Sequence, residues 1–143
     1  MGDTYWARKE HESAIPYYEE ALKPCKEQGD MAGAASLLDR LAKMHRLIER
    51  EEQALAYFQE ALDCWQKLSI PDREAMTWAN MGDIYKRRGD RSRAMRCHEQ
   101  ALSLYRSLRN LKAVEVLEKE LGAIRETQEG DPAGGEEKKS KAD

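Results

Sequence analysis

The sequence predicts an all-α protein built from antiparallel helix pairs that repeat along the chain. Three observations support this fold class. Similar residues return every forty positions, apolar residues within each unit are spaced by three and four, and glycine and proline are sparse before the final segment. Charged residues make up 36% of the chain and aromatic residues 7%, which favours solvated helices over a sheet. A length of 143 residues fits one domain.

The forty-residue period appears in several columns of the sequence. The opening stretch "MGDTYWAR" returns at position 81 as "MGDIYKRR". Small residues at matching positions of facing helices allow the two backbones to approach, and large neighbours fill the space beside them. The clearest columns are Ala14, Ala54 and Ala94, then Tyr18, Phe58 and His98, then Ala21, Ala61 and Ala101, then Leu22, Leu62 and Leu102.

Each unit is predicted to hold two helices. Short polar side chains stand just before four helical stretches, where they can accept a hydrogen bond from the first turn. These candidate caps are Asp30, Asp72, Asp90 and Asn110. Pro71 biases Ile70 away from helical geometry, so "SIPD" at 69–72 separates two units. We predict about seven helices, near 1–9, 12–28, 31–48, 51–68, 72–88, 91–108 and 111–126.

The stretch "WANMGDIYKRRGDRSRAMRCHEQAL" at 78–102 resembles the tetratricopeptide repeat (TPR) pattern. Trp78, Gly82 and Tyr85 match its first helix, and Ala94 and Ala101 match its second. Position 98 departs from the family's usual aromatic residue. The resemblance covers residues 1–125 and implies a TPR-like right-handed α-solenoid, with a HEAT-like helical array as the competing architecture.

The length of the repeat indicates which branch of the family the chain resembles. Most repeats of the family have about 34 residues, so a period of forty resembles its longer-repeat branch. That branch includes adaptors that bind spindle-orientation and G-protein partners and, at a slightly longer period, kinesin light chains. The resemblance therefore implies an adaptor in signalling.

The predicted domain organisation follows the period. We expect a helical repeat domain at 1–126, formed by a partial unit 1–30, a unit 31–70, a unit 71–110 and a capping helix 111–126. The sequence starts part-way along the first helix of its unit, so that helix is expected to be truncated. The tail 127–143 has no apolar residue larger than Ala or Pro and is expected to be disordered.

In this family the first helices line a concave groove, so the resemblance implies a non-catalytic module that binds a peptide segment of a partner protein. Basic residues outnumber acidic ones at the groove positions, which mildly favours acidic segments. Ordinary solvated surface is the alternative for any single position. The candidate binding residues are Trp6, Arg40, Lys43, Arg46, Asn80, Asp83, Lys86 and Arg87.

A second hypothesis is a structural segment that associates with copies of itself. Truncation of the first helix would leave the apolar face of residues 14–25 partly uncovered. We therefore expect pairing through this end, with a homodimer as the simplest form.

Several other functions are not expected. Residues 1–125 carry 21 charges of each sign, so no basic surface favours nucleic acid. No apolar run reaches the length of about 20 that a membrane span needs. The three cysteines are widely spaced and odd in number, which favours reduced thiols and a cytoplasmic location.

No cofactor or metal motif is present, and an enzyme is not expected. Cys97 and His98 are neighbours, but adjacent residues of a helix point about 100° apart and do not face each other. His45 and His98 fall in aromatic columns, so both are expected to be buried structural residues.

Overall fold

The computed structural model describes the backbone of residues 2–130 and the side chains of residues 8–126. This part of the chain contains no strand and six helices: α1 (Gly2–Glu27), α2 (Met31–Leu47), α3 (Glu51–Leu68), α4 (Pro71–Arg87), α5 (Arg91–Ser107) and α6 (Leu111–Gly130). The predicted all-α, TPR-like solenoid class is confirmed. Residues 131–143, most of the predicted disordered tail, lie outside the described residues.

A left-handed residue stands at every twentieth position, where a helix ends. Residues 29, 49, 69, 89 and 109 all have positive φ, between 56° and 82°. The residue after each one donates its N–H to a carbonyl five positions earlier, as from Asp30 to Cys25 (2.8 Å) and from Asp90 to Tyr85 (2.9 Å). This is the Schellman motif, which satisfies the last carbonyls of a helix. The chain therefore reverses at fixed intervals, and the apolar columns of successive helices stay aligned.

Three of the four predicted helix caps are confirmed. The side chains of Asp30, Asp90 and Asn110 each accept a hydrogen bond from the N–H three residues later, at 3.0–3.2 Å. The prediction for Asp72 was wrong, because α4 begins one residue earlier, at Pro71. A proline suits the first helical position, since the N–H that it lacks would have no partner there.

The predicted break between helices 1–9 and 12–28 is absent, so the described part has six helices where seven were expected. A single helix α1 runs from Gly2 to Glu27 and includes His11, which lies between the two predicted helices. Position 9 holds a lysine where position 89 holds a left-handed glycine. Residues 8–13 contain no Gly or Pro, so the chain continues as a helix through this region.

The chain forms two compact units that divide between Thr77 and Trp78. In the first unit, α1 packs on α2 and α2 packs on α3 around a core of Leu38, Leu41 and Trp65. In the second unit, α5 packs on α6. Contacts of α4 with α5 include Gly82, where an added Cβ would lie 2.9 Å from Nε2 of His98.

The alanine columns are buried wherever their partner helix is present. Ala54, Ala61, Ala94 and Ala101 are all 0% exposed. In α1, which has no partner at this position among the described residues, Ala21 is exposed. The same residue type in the same column is therefore buried or exposed according to the helix that faces it.

This difference predicts the effect of enlarging the side chain. Ala61→Leu and Ala101→Leu should each lower the free energy of unfolding by about 1–3 kcal/mol, because a well-packed site cannot take three extra carbons without strain. Ala21→Leu, in the same column, should leave stability nearly unchanged. Urea unfolding followed by circular dichroism measures all three, and equal losses would contradict this account of the packing.

The left-handed turns predict that substitutions at positions 89 and 109 differ in their effect on stability. Gly89→Ala should lower the free energy of unfolding by about 1 kcal/mol, because a Cβ is strained at positive φ. No atom lies within 4 Å of the added Cβ, so backbone strain accounts for the loss. Arg109→Ala is the matched control, since it exchanges one side chain for another at a φ of 59°. A loss at position 109 as large as that at position 89 would show that side-chain contacts, not glycine, set the stability of the turns.

Candidate peptide-binding surface

The first group of candidate residues lies on α2, in the first unit. Arg40 and Lys43 are exposed and Arg46 is half-buried. None of the three makes a hydrogen bond or an ion pair with another residue in the described part of the chain. These side chains are positioned by the opposite face of α2, where Leu38, Leu41 and Ala42 are buried. The α2 group is available to a ligand.

Asp39 interrupts this row of basic residues but is held by neighbouring helices of the same unit. Its carboxylate accepts a hydrogen bond from Nε1 of Trp65 on α3 (3.0 Å) and lies 3.4 Å from the hydroxyl of Thr77 on α4. Burial raises the pKa of Asp39, while the bond from Trp65 and the charges of Lys43 and Arg73 act in the opposite direction. The Asp39 carboxylate therefore links α2, α3 and α4. This link was not predicted from the sequence.

The second group lies on α4, in the second unit. Asn80 and Asp83 are half-buried, whereas Lys86 and Arg87 are exposed. Lys86 is already paired, with its Nζ 2.9 Å from a carboxylate oxygen of Glu120 on α6. One oxygen of Asp83 lies 3.6 Å from Nε2 of His98. The α4 group therefore differs from the α2 group, because internal partners engage two of its charged residues.

The side chain of Trp6, the remaining candidate, lies outside the described side chains. Sequence reasoning also gave little weight to exposed apolar residues near the candidate positions. Leu47 on α2 is 56% exposed, Met76 on α4 is 40% exposed and Val116 on α6 is 59% exposed. Each falls on a predicted first helix, and the spacing of apolar residues along that helix did not distinguish it from the buried ones.

The two predicted structural histidines are buried, as expected. His98 is 1% exposed, and His45 is 5% exposed and stacks on Tyr57 with ring centroids 5.3 Å apart. Burial lowers the pKa of both imidazoles. At His98, the charges of Asp83 and Glu120 oppose this effect and that of Lys86 adds to it. Both rings are therefore neutral packing elements near neutral pH.

The Cys97–His98 pair has no features of a nucleophile and its base. Burial raises the pKa of Cys97 to about 11, so its thiol stays protonated. The neighbouring imidazole has a lowered pKa and packs against Gly82. Among the residues with described side chains, no cluster of three or more His, Cys, Asp or Glu could hold a metal.

A separate uncovered surface lies on α1. It surrounds a shallow cleft of about 550 Å³ lined by Lys9, Glu10, Ser13, Ala14 and Tyr17. Tyr17 is 79% exposed, whereas Tyr57, its counterpart forty residues later, stacks on His45. Among the described residues, no helix covers this surface in the way that α2 covers the equivalent position in the next unit.

The helical repeat fold agrees with comparisons to known proteins. A tetratricopeptide repeat family model matches residues 30–107, and a second model of the same description matches residues 1–23. The chain belongs to the tetratricopeptide repeat family. Repeats of this family mediate protein–protein interaction and are typically non-catalytic.

Among solved structures, the chain is similar to the crystal structure of BtubC (BKLC) from P. vanneervenii. The TM-score is 0.61 and the sequence identity 24%, over 86% of this chain. The chain spans 59% of the length of that protein. No curated protein matches the sequence significantly. No helix within the described residues has the length and apolar character to cross a membrane.

The buried histidines predict a pH dependence of stability. A folded-state pKa below the ordinary value of 6.5 means that the unfolded chain binds protons more readily. The contribution of the two histidines to the free energy of unfolding is fully present above pH 6.5. It is lost as the pH falls toward their lowered pKa values. The free energy of unfolding should therefore decrease between about pH 7.5 and pH 5.5.

The cause of this pH dependence can be tested by replacing both histidines with the aromatic residues found at equivalent positions of the repeat. The double variant His45→Tyr/His98→Phe should lose most of this decrease, and each single variant should lose a part of it. Urea titrations at several pH values provide the measurement. A decrease of the same size in the double variant would assign the pH dependence to other groups.

Proposed function

We propose that the chain is a non-catalytic adaptor module whose first helices bind a peptide segment of a partner protein. The observation that carries this proposal is the row of unpaired cations on α2, where Arg40, Lys43 and Arg46 make no internal ion pair within the described residues. Three exposed or half-exposed cations on one helix favour an acidic segment. In the second unit, Asn80 and Arg87 on α4 are further candidates, because an amide side chain can both donate to and accept from a peptide backbone.

The proposal includes the concave groove of the family and its longer-repeat branch. Support for the branch comes from the turns, because left-handed residues twenty positions apart correspond to a forty-residue repeat. A role in signalling, like that of the adaptors in the branch, is part of the same proposal. The three free thiols favour a cytoplasmic location.

The proposed repeat boundaries follow the same positions. Units 31–70 and 71–110 each contain two helices that end at left-handed residues, and α6 corresponds to the capping helix. The exposed side chains Glu115, Glu118 and Lys119 give α6 polar groups of the kind found on a capping helix, beside the exposed Val116.

Selection from a displayed library of disordered peptide segments tests the binding function. Selected peptides should bind the purified chain, and the variant Arg40→Glu/Lys43→Glu should lose most of that binding, because like charges then face the acidic residues. The matched control reverses two exposed cations on second helices, Lys67→Glu and Arg96→Glu, and should bind as the wild type does. Calorimetry gives the affinities. Equal binding by both variants would place the ligand elsewhere.

The uncovered surface of α1 favours a second candidate function, association between copies of the chain. Tyr17 and the exposed Ala21 lie where a first helix covers the next unit, so a homodimer through this end would bury apolar area. Sedimentation velocity over a range of concentrations tests it with the variant Tyr17→Glu. Dimers in the wild type that disappear in the variant would support this function, and a monomer at all concentrations would contradict it.

A further inference from the structure

We propose that three sulfur atoms of the first compact unit, those of Cys25, Met31 and Cys64, form a binding site for a soft metal ion, Cu(I). The three residues line one cleft of about 200 Å³, and each comes from a different helix. Cys25 lies near the end of α1, Met31 begins α2, and Cys64 lies in α3. The site belongs to the first unit alone and does not depend on the proposed peptide-binding function.

The two thiols are brought together by the contact between α1 and α3. Nζ of Lys26, in the last turn of α1, lies 3.3 Å from the carboxylate of Glu60 on α3. Glu60 and Cys64 share one face of α3, because residues four apart in a helix are neighbours. Cys25 directly precedes Lys26 and lines the same cleft as Cys64. Both thiols are free and half-buried, so a small ion can reach them.

The turn between α1 and α2 holds the third sulfur atom at the edge of this cleft. The N–H of Asp30 donates to the carbonyl of Cys25 (2.8 Å), and the N–H of Met31 donates to the carbonyl of Gly29 (2.9 Å). These bonds fix the backbone from the first thiol to the thioether. The side chain of Met31 is 38% exposed, and its flexibility allows the thioether to turn toward a bound ion.

The oxygen donors of the cleft are already engaged within the fold. The carboxylate of Asp30 caps α2 by accepting the N–H three residues later (3.0 Å), and that of Glu60 pairs with Lys26. Ala34 and Leu38, which also line the cleft, are buried apolar residues. A ligand in the cleft therefore meets sulfur and apolar surface.

This donor set determines which metal fits. Thiolate and thioether ligands favour Cu(I), whereas carboxylates and carbonyls suit magnesium and calcium. A structural zinc site takes four nitrogen or sulfur ligands. Among the residues with described side chains, no group of three or more His, Cys, Asp or Glu could provide them. Two thiols and one thioether are a sulfur set for Cu(I), and each thiol releases its proton to water when the ion binds.

Titration of the reduced chain with Cu(I) in the absence of oxygen tests the inference, with bathocuproine disulfonate as a coloured competitor. The wild type should take up one ion per chain, and X-ray absorption should show sulfur ligands only. Cys25→Ser and Cys64→Ser should each weaken binding at least about a hundredfold, because loss of a ligand costs more than loss of an outer contact. Cys97→Ser, which changes the free cysteine outside the cleft, is the matched control and should bind as the wild type does.

Two further measurements separate a site built by the fold from general binding by thiols. The chain unfolded in urea should bind Cu(I) much more weakly, because the three sulfur atoms are then apart. Met31→Leu keeps the size of the side chain and should weaken binding about tenfold without disturbing the fold. Equal affinity in the folded and unfolded chain, equal losses from Cys25→Ser and Cys97→Ser, or an unchanged affinity in Met31→Leu would each overturn the three-sulfur site.

Discussion

Every helix end between α1 and α6 depends on the same constraint, a left-handed residue followed by a hydrogen bond that closes the last turn. This geometry recurs at intervals of twenty residues, with glycine at positions 29 and 89 and with larger residues at 49, 69 and 109. The larger residues tolerate the strained conformation because the backbone bonds around them are all made, as from Arg50 to the carbonyl of His45 at 2.7 Å. Regular turns fix helix length, and fixed length aligns the faces that pack.

The aligned helix faces pack closely because small residues lie beside large ones. An added Cβ at Gly82 would fall against the imidazole of His98, and Ala54 and Ala61 are fully buried beside Phe58. A histidine can occupy an aromatic position because it is neutral there, and that neutrality is a consequence of burial. Where no facing helix exists among the described residues, as at Ala21, the same column is exposed to solvent.

The sequence was sufficient to predict the packing but not the polar pairing. Columns at a fixed period identify residues that repeat, and so they predicted the helix ends to within a few residues. Asp39 and Glu120 do not repeat, and their partners Trp65 and Lys86 lie 26 and 34 residues away along the chain. No local pattern identifies a hydrogen bond at such a separation. The continuity of α1 was missed for a related reason, since the turn at position 9 was inferred from its counterparts.

These unpredicted polar contacts distinguish cations that are equivalent in the sequence. From the sequence, Arg40, Lys43, Lys86 and Arg87 are equivalent cations on first helices. In the structure, Asp39 is held by Trp65, while Lys86 is neutralised by Glu120. The net charge of the chain is −3, yet α2 carries exposed cations that form no internal ion pair or hydrogen bond in the described part. Non-repeating residues can therefore pair with some charges of an otherwise regular helical surface and leave others unpaired.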